Sequence, residues 1–240
     1  MGFCPMGTLR LPGSAEDTLG ALVGGMAAGR VLRVVNFHAT PRYREDEYRR
    51  QIEAYARLFA PITYQNFDSA FDGKWSHPRP GLMPVLFEGF RDNLDVMVPI
   101  LEEFGFKGWF FIPSAFPAVT PAVQRSYAKA HRLHLPQRDE YEGQRVAMTW
   151  DEARDLATRG HGFACHSRSH FDLEPDTPDH VLWDEIHTAA NEMRAGIGWP
   201  VEIFCWLRGA EAGVNASADA MLREAGFRYL FSNFKVQRLA

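Results

Sequence analysis

The chain has 240 residues, 46% of them hydrophobic and 23% charged, values that exclude a disordered or fibrous protein and leave room for one sizeable core. Its 26 Lys and Arg against 30 Asp and Glu give a net charge of −4 without a basic stripe, which excludes a dedicated nucleic-acid binder. The surplus lies elsewhere, in 18 Phe, 6 Trp, 7 Tyr and 9 His.

Residues 1–30 read as a Gly- and Ala-rich lead-in, and 31–240 as a single domain. The apolar run Leu19 to Ala28 is too short and too glycine-rich to span a membrane, and no basic region precedes it. A cytoplasmic location is expected. Cys4, Cys165 and Cys205 are too widely spaced for a disulfide framework or a thiolate metal site, so reduced, inert thiols are expected.

From Val31 onwards, short apolar runs alternate with amphipathic stretches. Val31 to Phe37 reads as a strand, and Arg44 to Phe59 as a helix with Tyr48, Ile52, Tyr55 and Phe59 on its buried side. Pro61 to Phe67 is expected to be an edge strand, and Ser76 to Pro80 a loop. Leu82 to Phe87 and Gly108 to Ile112 are strands flanking a helix over Asp92 to Phe104. A helix around Pro121 to Arg132 precedes a polar, proline-containing loop. Thr149 and Glu152 form a capping-box pattern for the next helix, which Gly160 stops. Strand Gly162 to His166, helix Pro178 to Ala195, strand Val201 to Trp206, helix Ser217 to Glu224 and strand Tyr229 to Ser232 complete the series.

Alternation of this kind specifies an α/β fold with parallel strands, here six or seven, and a distorted or incomplete barrel is expected. Functional groups then gather where the strands end. Those positions hold His38, Phe87 with Glu88, Pro113 with Ser114, His166 with His170, Trp206 with Arg208, and Ser232 with Asn233. Glu88, His166 and His170 form a set of two imidazoles and one carboxylate, suited to a divalent transition metal such as zinc with open positions for water and substrate. Two hydrogen-bonded loop histidines account for the H-x-x-x-H spacing equally well. No glycine-rich phosphate loop follows any strand.

The ordered blocks VVNFHAT, VLFEGFRDN, MTWDEARDLATRGHGFACHSRSH, WPVEIFCWLRG and MLREAGFRYLFSN resemble the polysaccharide deacetylase family, the NodB-homology or carbohydrate esterase family 4 domain, over residues 31 to 234. The resemblance implies a distorted (β/α) barrel of the (β/α)7 kind and a hydrolase that removes acetyl groups from amino sugars, with a metal held by an aspartate and two histidines. Some relatives cleave other non-peptide C–N bonds in small molecules. Gly89 to Asn93 set the register of the first motif, which puts Phe87 where the family has its base aspartate and Glu88 where it has the metal-binding one. His166 and His170 match the second motif. In the third, Glu202 stands for the arginine that pairs with the base, Trp206 for a tyrosine and Leu207 for a proline. The motif with the family's general-acid histidine has no counterpart before Ala240.

Glu88 is one methylene longer than the aspartate it replaces, so it can ligate after a backbone shift, act as the base itself, or pair with Arg208 or Arg168. His38 is a candidate acid or base. Phe87, Trp206, Arg208 and Asp172 are candidates for the substrate pocket. The resulting expectation is a hydrolase of an amide-type bond in a small molecule or amino sugar. A silent ligand-binding descendant and a non-hydrolytic activity in specialised metabolism are the alternatives. The implied partner is a small-molecule substrate, without nucleic acid or a membrane span, and homo-oligomerisation is left open.

Overall fold

The computed structural model describes residues 2–3, 32–71, 74–232 and 235–238. The rest of the lead-in, Cys4 and Asn233 lie outside the described residues. The elements are β1 (Gly2–Phe3), β2 (Leu32–Phe37), α1 (Glu45–Leu58), β3 (Ala60–Pro61), α2 (Tyr64–Phe71), β4 (Gly81–Phe87), α3 (93–103), β5 (Trp109–Ile112), α4 (Gln124–Ala130), α5 (Trp150–Thr158), β6 (Gly162–Cys165), α6 (179–197), β7 (Ile203–Cys205), α7 (Ala216–Glu224), β8 (Tyr229–Phe231) and β9 (Lys235–Arg238).

Strands β2, β4, β5, β6, β7 and β8 pair in that order, all parallel, with β3 also alongside β4. Beyond β8 the sheet continues into antiparallel β9 and then β1. Among the described residues no ladder joins β2 to the far end. The sheet is therefore a curled, incomplete (β/α) barrel.

Strand alternation sorts the apolar residues into two layers, since successive side chains point to opposite faces. Met83, Val85, Trp109, Phe111, Ala164, Ile203, Cys205, Tyr229 and Phe231 fill the concave side. Leu82, Leu86, Phe110, Ile112, Phe163, Cys165, Phe204, Trp206 and Leu230 face the helices, where they meet Ile52, Leu101, Leu156, Ile186 and Leu222. A fully buried aromatic or aliphatic side chain contributes about 1.5–3 kcal/mol, so both layers hold the curl. Gly162 is required at one close approach, because a Cβ there would lie 2.2 Å from the Trp109 ring.

The expected edge strand over Pro61 to Phe67 is corrected by the structure. Hydrogen bonding to β4 ends with the Ile62 N–H on the Leu82 carbonyl (3.0 Å), and a helix starts at Tyr64. Asn66 drives the change: its Oδ1 accepts from the Thr63 N–H (2.8 Å) and its Nδ2 donates to the Pro61 carbonyl (3.2 Å). The helix delivers Phe67 to the concave layer, where its ring meets Trp109, Tyr229 and Phe231. The capping box at Thr149 forms as expected. No helix among the described residues is long and apolar enough to cross a membrane.

Candidate active site

Parallel strands bring their carboxyl ends to one mouth, and the even alternation that buries Val85 turns the next concave position, Phe87, towards it. Phe87 packs against Phe111 (5.4 Å between centroids), His166 (5.1 Å) and His38, on which it stacks (5.1 Å, 17°). The floor of the mouth is thus hydrocarbon.

Glu88 follows in the left-handed region (φ 73°), and Gly89 repeats it (φ 71°). This double turn lifts the carboxylate out of the strand plane and buries it fully. Its nearest partner is His134, from the loop after α4. The His134 N–H donates to Oε2 (2.7 Å) and its Nδ1 lies 2.6 Å from Oε1. His38 Nε2 and His170 Nε2 stand 3.9 and 3.8 Å from the same Oε1. Burial pushes the Glu88 pKa up, against the pull of the hydrogen bonds from His134.

The imidazole tautomers follow from what each Nδ1 faces. His166 Nδ1 donates to the Cys205 carbonyl (2.9 Å) and His170 Nδ1 to the His131 carbonyl (2.8 Å), because a carbonyl only accepts. Each neutral ring then keeps its Nε2 lone pair free. The rings' centroids are 5.0 Å apart. Burial lowers the pKa of His166 to about 3 and that of His170 in the same direction. Partial desolvation of the half-exposed His38 ring, with the neighbouring His134 and His170, brings its pKa down to about 4. These three rings are neutral at pH 7.

The His38 backbone is anchored by Asn93 at the start of α3, whose Nδ2 donates to the His38 carbonyl (2.7 Å) and to Thr40 Oγ1 (3.0 Å). Among the described residues, the non-glycine residues with left-handed backbones are Glu88, Arg132, Ser167, His170 and Arg208, and each lies at the mouth or in the 131–134 segment beside it. Strain of this kind persists only where surrounding contacts enforce it.

The sequence-predicted residues separate into two groups. His38, Phe87, Glu88 and His170 converge, with His166 beside Phe87 and His170. Among the described residues, the trio whose ligand atoms all lie within 4.8 Å of one another is His38, Glu88 and His134, not Glu88, His166 and His170. Asp172 and Arg208 pair at 3.1 Å, with Arg132 3.9 Å from the same carboxylate oxygen. Trp206 is turned away: it belongs to the helix-facing layer and packs on Phe204, because it follows inward-facing Cys205 by one residue. Arg168 is engaged by Asp184 and Glu192, so it does not pair with Glu88. His134 is absent from the sequence expectations, since nothing in a polar loop indicates which strand end it will cover. Only the paired spacing His131-x-x-His134 hints at it.

A model of the family described as polysaccharide deacetylase matches residues 84–230, more than half of the chain, from within β4 to within β8. The chain belongs to the polysaccharide deacetylase family. Solved structures agree on the fold. The deacetylase PplD of Streptococcus pyogenes in complex with acetate superposes with a TM-score of 0.65 at 10% identity, covering 87% of this chain and 91% of that one. IcaB from Ammonifex degensii gives 0.63 at 16%, covering 87% and 86%. The BpsB deacetylase domain from Bordetella bronchiseptica gives 0.62 at 13%, covering 88% and 96%. A search of curated proteins gave no match.

Phe87 and Glu202, the two positions at which the resemblance implies a departure from the family's motifs, each have neighbours that account for them. Phe87 forms the floor described above. Glu202 accepts from the Tyr64 hydroxyl (3.1 Å) and Arg228 (3.2 Å) just before β7. The two side chains therefore have separate partners. Deacetylases of this family are typically metal-dependent, and the donor set here fits a divalent ion chemically: neutral imidazoles with free Nε2 atoms, Nδ1 atoms held by carbonyls, and one carboxylate. The 3.8 and 3.9 Å separations about Oε1 also fall within the span of two ligands each about 2.0–2.2 Å from one ion.

Proposed function

We propose that the chain is a hydrolase that cleaves an amide-type, non-peptide C–N bond of a small molecule or amino sugar, releasing a short carboxylic acid. The observation that carries this reading is the buried Glu88 carboxylate, bonded twice by His134 and faced by the Nε2 atoms of His38 and His170.

A divalent ion bound there would be held by residues drawn from Glu88, His38, His166 and His170, and would supply Lewis-acid polarisation of the substrate carbonyl and acidification of water. Phe87 removes the carboxylate base from the end of β4, so proton transfer falls to imidazole. Glu88 fixes the Nδ1–H tautomer of His134 and leaves its Nε2, on an exposed ring, as the accepting atom. His38, neutral above pH 4, is the second candidate. Water loses its proton to such a ring as it adds to the carbonyl carbon, and the imidazolium returns that proton to the departing amine nitrogen. General base catalysis of this kind contributes about 10²- to 10⁴-fold. The phenyl floor favours an acyl group or ring with an apolar face.

The test is acid release from a panel of N-acylated amines and amino sugars, with zinc or cobalt supplied. Release that disappears in Glu88→Ala and His170→Ala supports the reading. Tight ligand binding without turnover under any ion would overturn it and leave the binding-protein alternative, which the phenyl floor favours.

A further inference from the structure

The loop that carries His166 and His170 is held by a residue outside the family motifs. Ser167 and His170 have left-handed backbones (φ 59° and 62°). The loop's carbonyls find backbone partners, the Ser114 N–H on the Ser167 oxygen (3.2 Å) and the Ala115 N–H on the Arg168 oxygen (3.0 Å). The Phe171 N–H is taken by Ser167 Oγ (2.9 Å). The N–H groups of Arg168 and Ser169 converge on one point and require an anionic acceptor, as successive amides do in such a turn. Glu185 supplies it. Its Oε2 accepts both N–H groups, at 2.8 and 2.9 Å, and its Oε1 accepts the Ser169 hydroxyl at 2.5 Å.

Glu185 is only 5% exposed and lies in a widened, π-helical turn over 184–188 of α6, an irregularity often found at functional sites. The neighbouring residues of α6 brace the same loop. Arg168 reaches Asp184 and Glu192, each at 2.9 Å, and Glu192 also takes the Ser114 hydroxyl at 2.6 Å. These contacts grip the Arg168 side chain, whereas Glu185 grips the backbone that sets the direction of His170.

We propose that Glu185 is the positioning residue of the His166–His170 loop, holding its left-handed backbone so that both Nε2 atoms face the mouth. Loss of the carboxylate leaves three donors without their acceptor and frees the loop to relax. The inference rests on the reading of His166 and His170 as site residues.

The test uses the whole chain without ion or substrate. Imidazole ¹⁵N–¹H correlation spectra are compared for wild type, Glu185→Gln and Glu185→Ala. Wild type should show His166 and His170 as Nδ1–H tautomers. His161, whose Nδ1 accepts from the Gly108 N–H (2.9 Å), is the internal control with the opposite tautomer. Glu185→Ala should average or abolish the His170 signal and leave His161 unchanged, with Glu185→Gln intermediate because it retains one acceptor oxygen. In calorimetric titration with Co²⁺, the alanine variant should bind roughly 10- to 100-fold more weakly than wild type. Unchanged spectra for all three histidines in a cooperatively melting variant would overturn the proposal. If the alanine variant does not fold, the glutamine variant decides on the same spectra, and failure of both to melt cooperatively would also overturn it by making Glu185 a general stability residue. Because the spectra are read without ion or substrate, a failed acid-release assay does not alter what they say about Glu185.

Discussion

Asp92 offers a direct test of the electrostatics beside the mouth. It precedes the Asn93 that holds the His38 carbonyl, is almost fully buried, and lines a cavity of about 100 Å³ with Phe90, Leu135, Pro136 and Val146. Burial raises its pKa from 3.8 to about 7, only partly opposed by hydrogen bonds from Thr40 and Asn93. The folded chain therefore binds a proton here more tightly than the unfolded chain. The native state holds the extra proton between pH 3.8 and about 7, so the stability associated with it is complete below 3.8 and is lost as pH rises through 7. At about 1.4 kcal/mol per tenfold change in proton affinity, the displacement amounts to about 4 kcal/mol. Asp92→Asn removes the titration and keeps the shape. The difference in unfolding free energy between variant and wild type should shift by about 4 kcal/mol in favour of the variant from pH 4 to pH 8. For a chain of this size that corresponds to a melting-temperature difference on the order of 10 °C. The assay is urea unfolding at each pH, and subtracting wild type cancels the opposite slopes from His38 and His166. A pH-independent difference would refute the reasoning, because it would mean that the donors of Thr40 and Asn93 stabilise the carboxylate as fully as water does.

Three further outcomes are expected. Glu88→Gln should release the His134 ring, since the amide cannot accept from both the backbone N–H and Nδ1–H; the His134 tautomer signal should disappear, with activity reduced by at least tenfold. Gly162→Ala should cost about 1–3 kcal/mol or more in chemical unfolding, because Trp109 must leave its rotamer. Cys165 and Cys205 are fully buried thiols whose pKa values are pushed up by burial, so a thiol reagent should modify neither until the chain unfolds.

The barrel was legible in the sequence because its signals are local. The short apolar runs that end at Phe87 and His166, the Thr149 to Glu152 cap and the glycine stops act within a few residues. The Pro61 to Phe67 stretch misled because the Asn66 side chain, not an apolar period, determines its path. Glu88, His38, His166 and His170 are legible as residues at strand ends, which parallel strands bring to one mouth. Neither His134 nor Glu185 is, since each reaches its partner across long sequence separations, 46 residues to Glu88 and 17 back to Arg168. Trp206 illustrates a different limit: motif alignment placed it at the rim, but a shift of one residue along a strand reverses the face it occupies.

The five left-handed residues around the mouth bear on how this protein could be made more robust. Each would sit more comfortably as glycine, which has no Cβ to oppose that backbone, by about 1 kcal/mol or more. Yet each uses its side chain on a neighbour: Glu88 on His134, Ser167 on the Phe171 amide, His170 on the His131 carbonyl, and Arg132 and Arg208 towards Asp172. Thermal resistance and an ordered mouth therefore pull in opposite directions. An engineer selecting for heat tolerance alone would be led to glycines at 132 and 208, and would obtain a sturdier barrel with a slacker entrance.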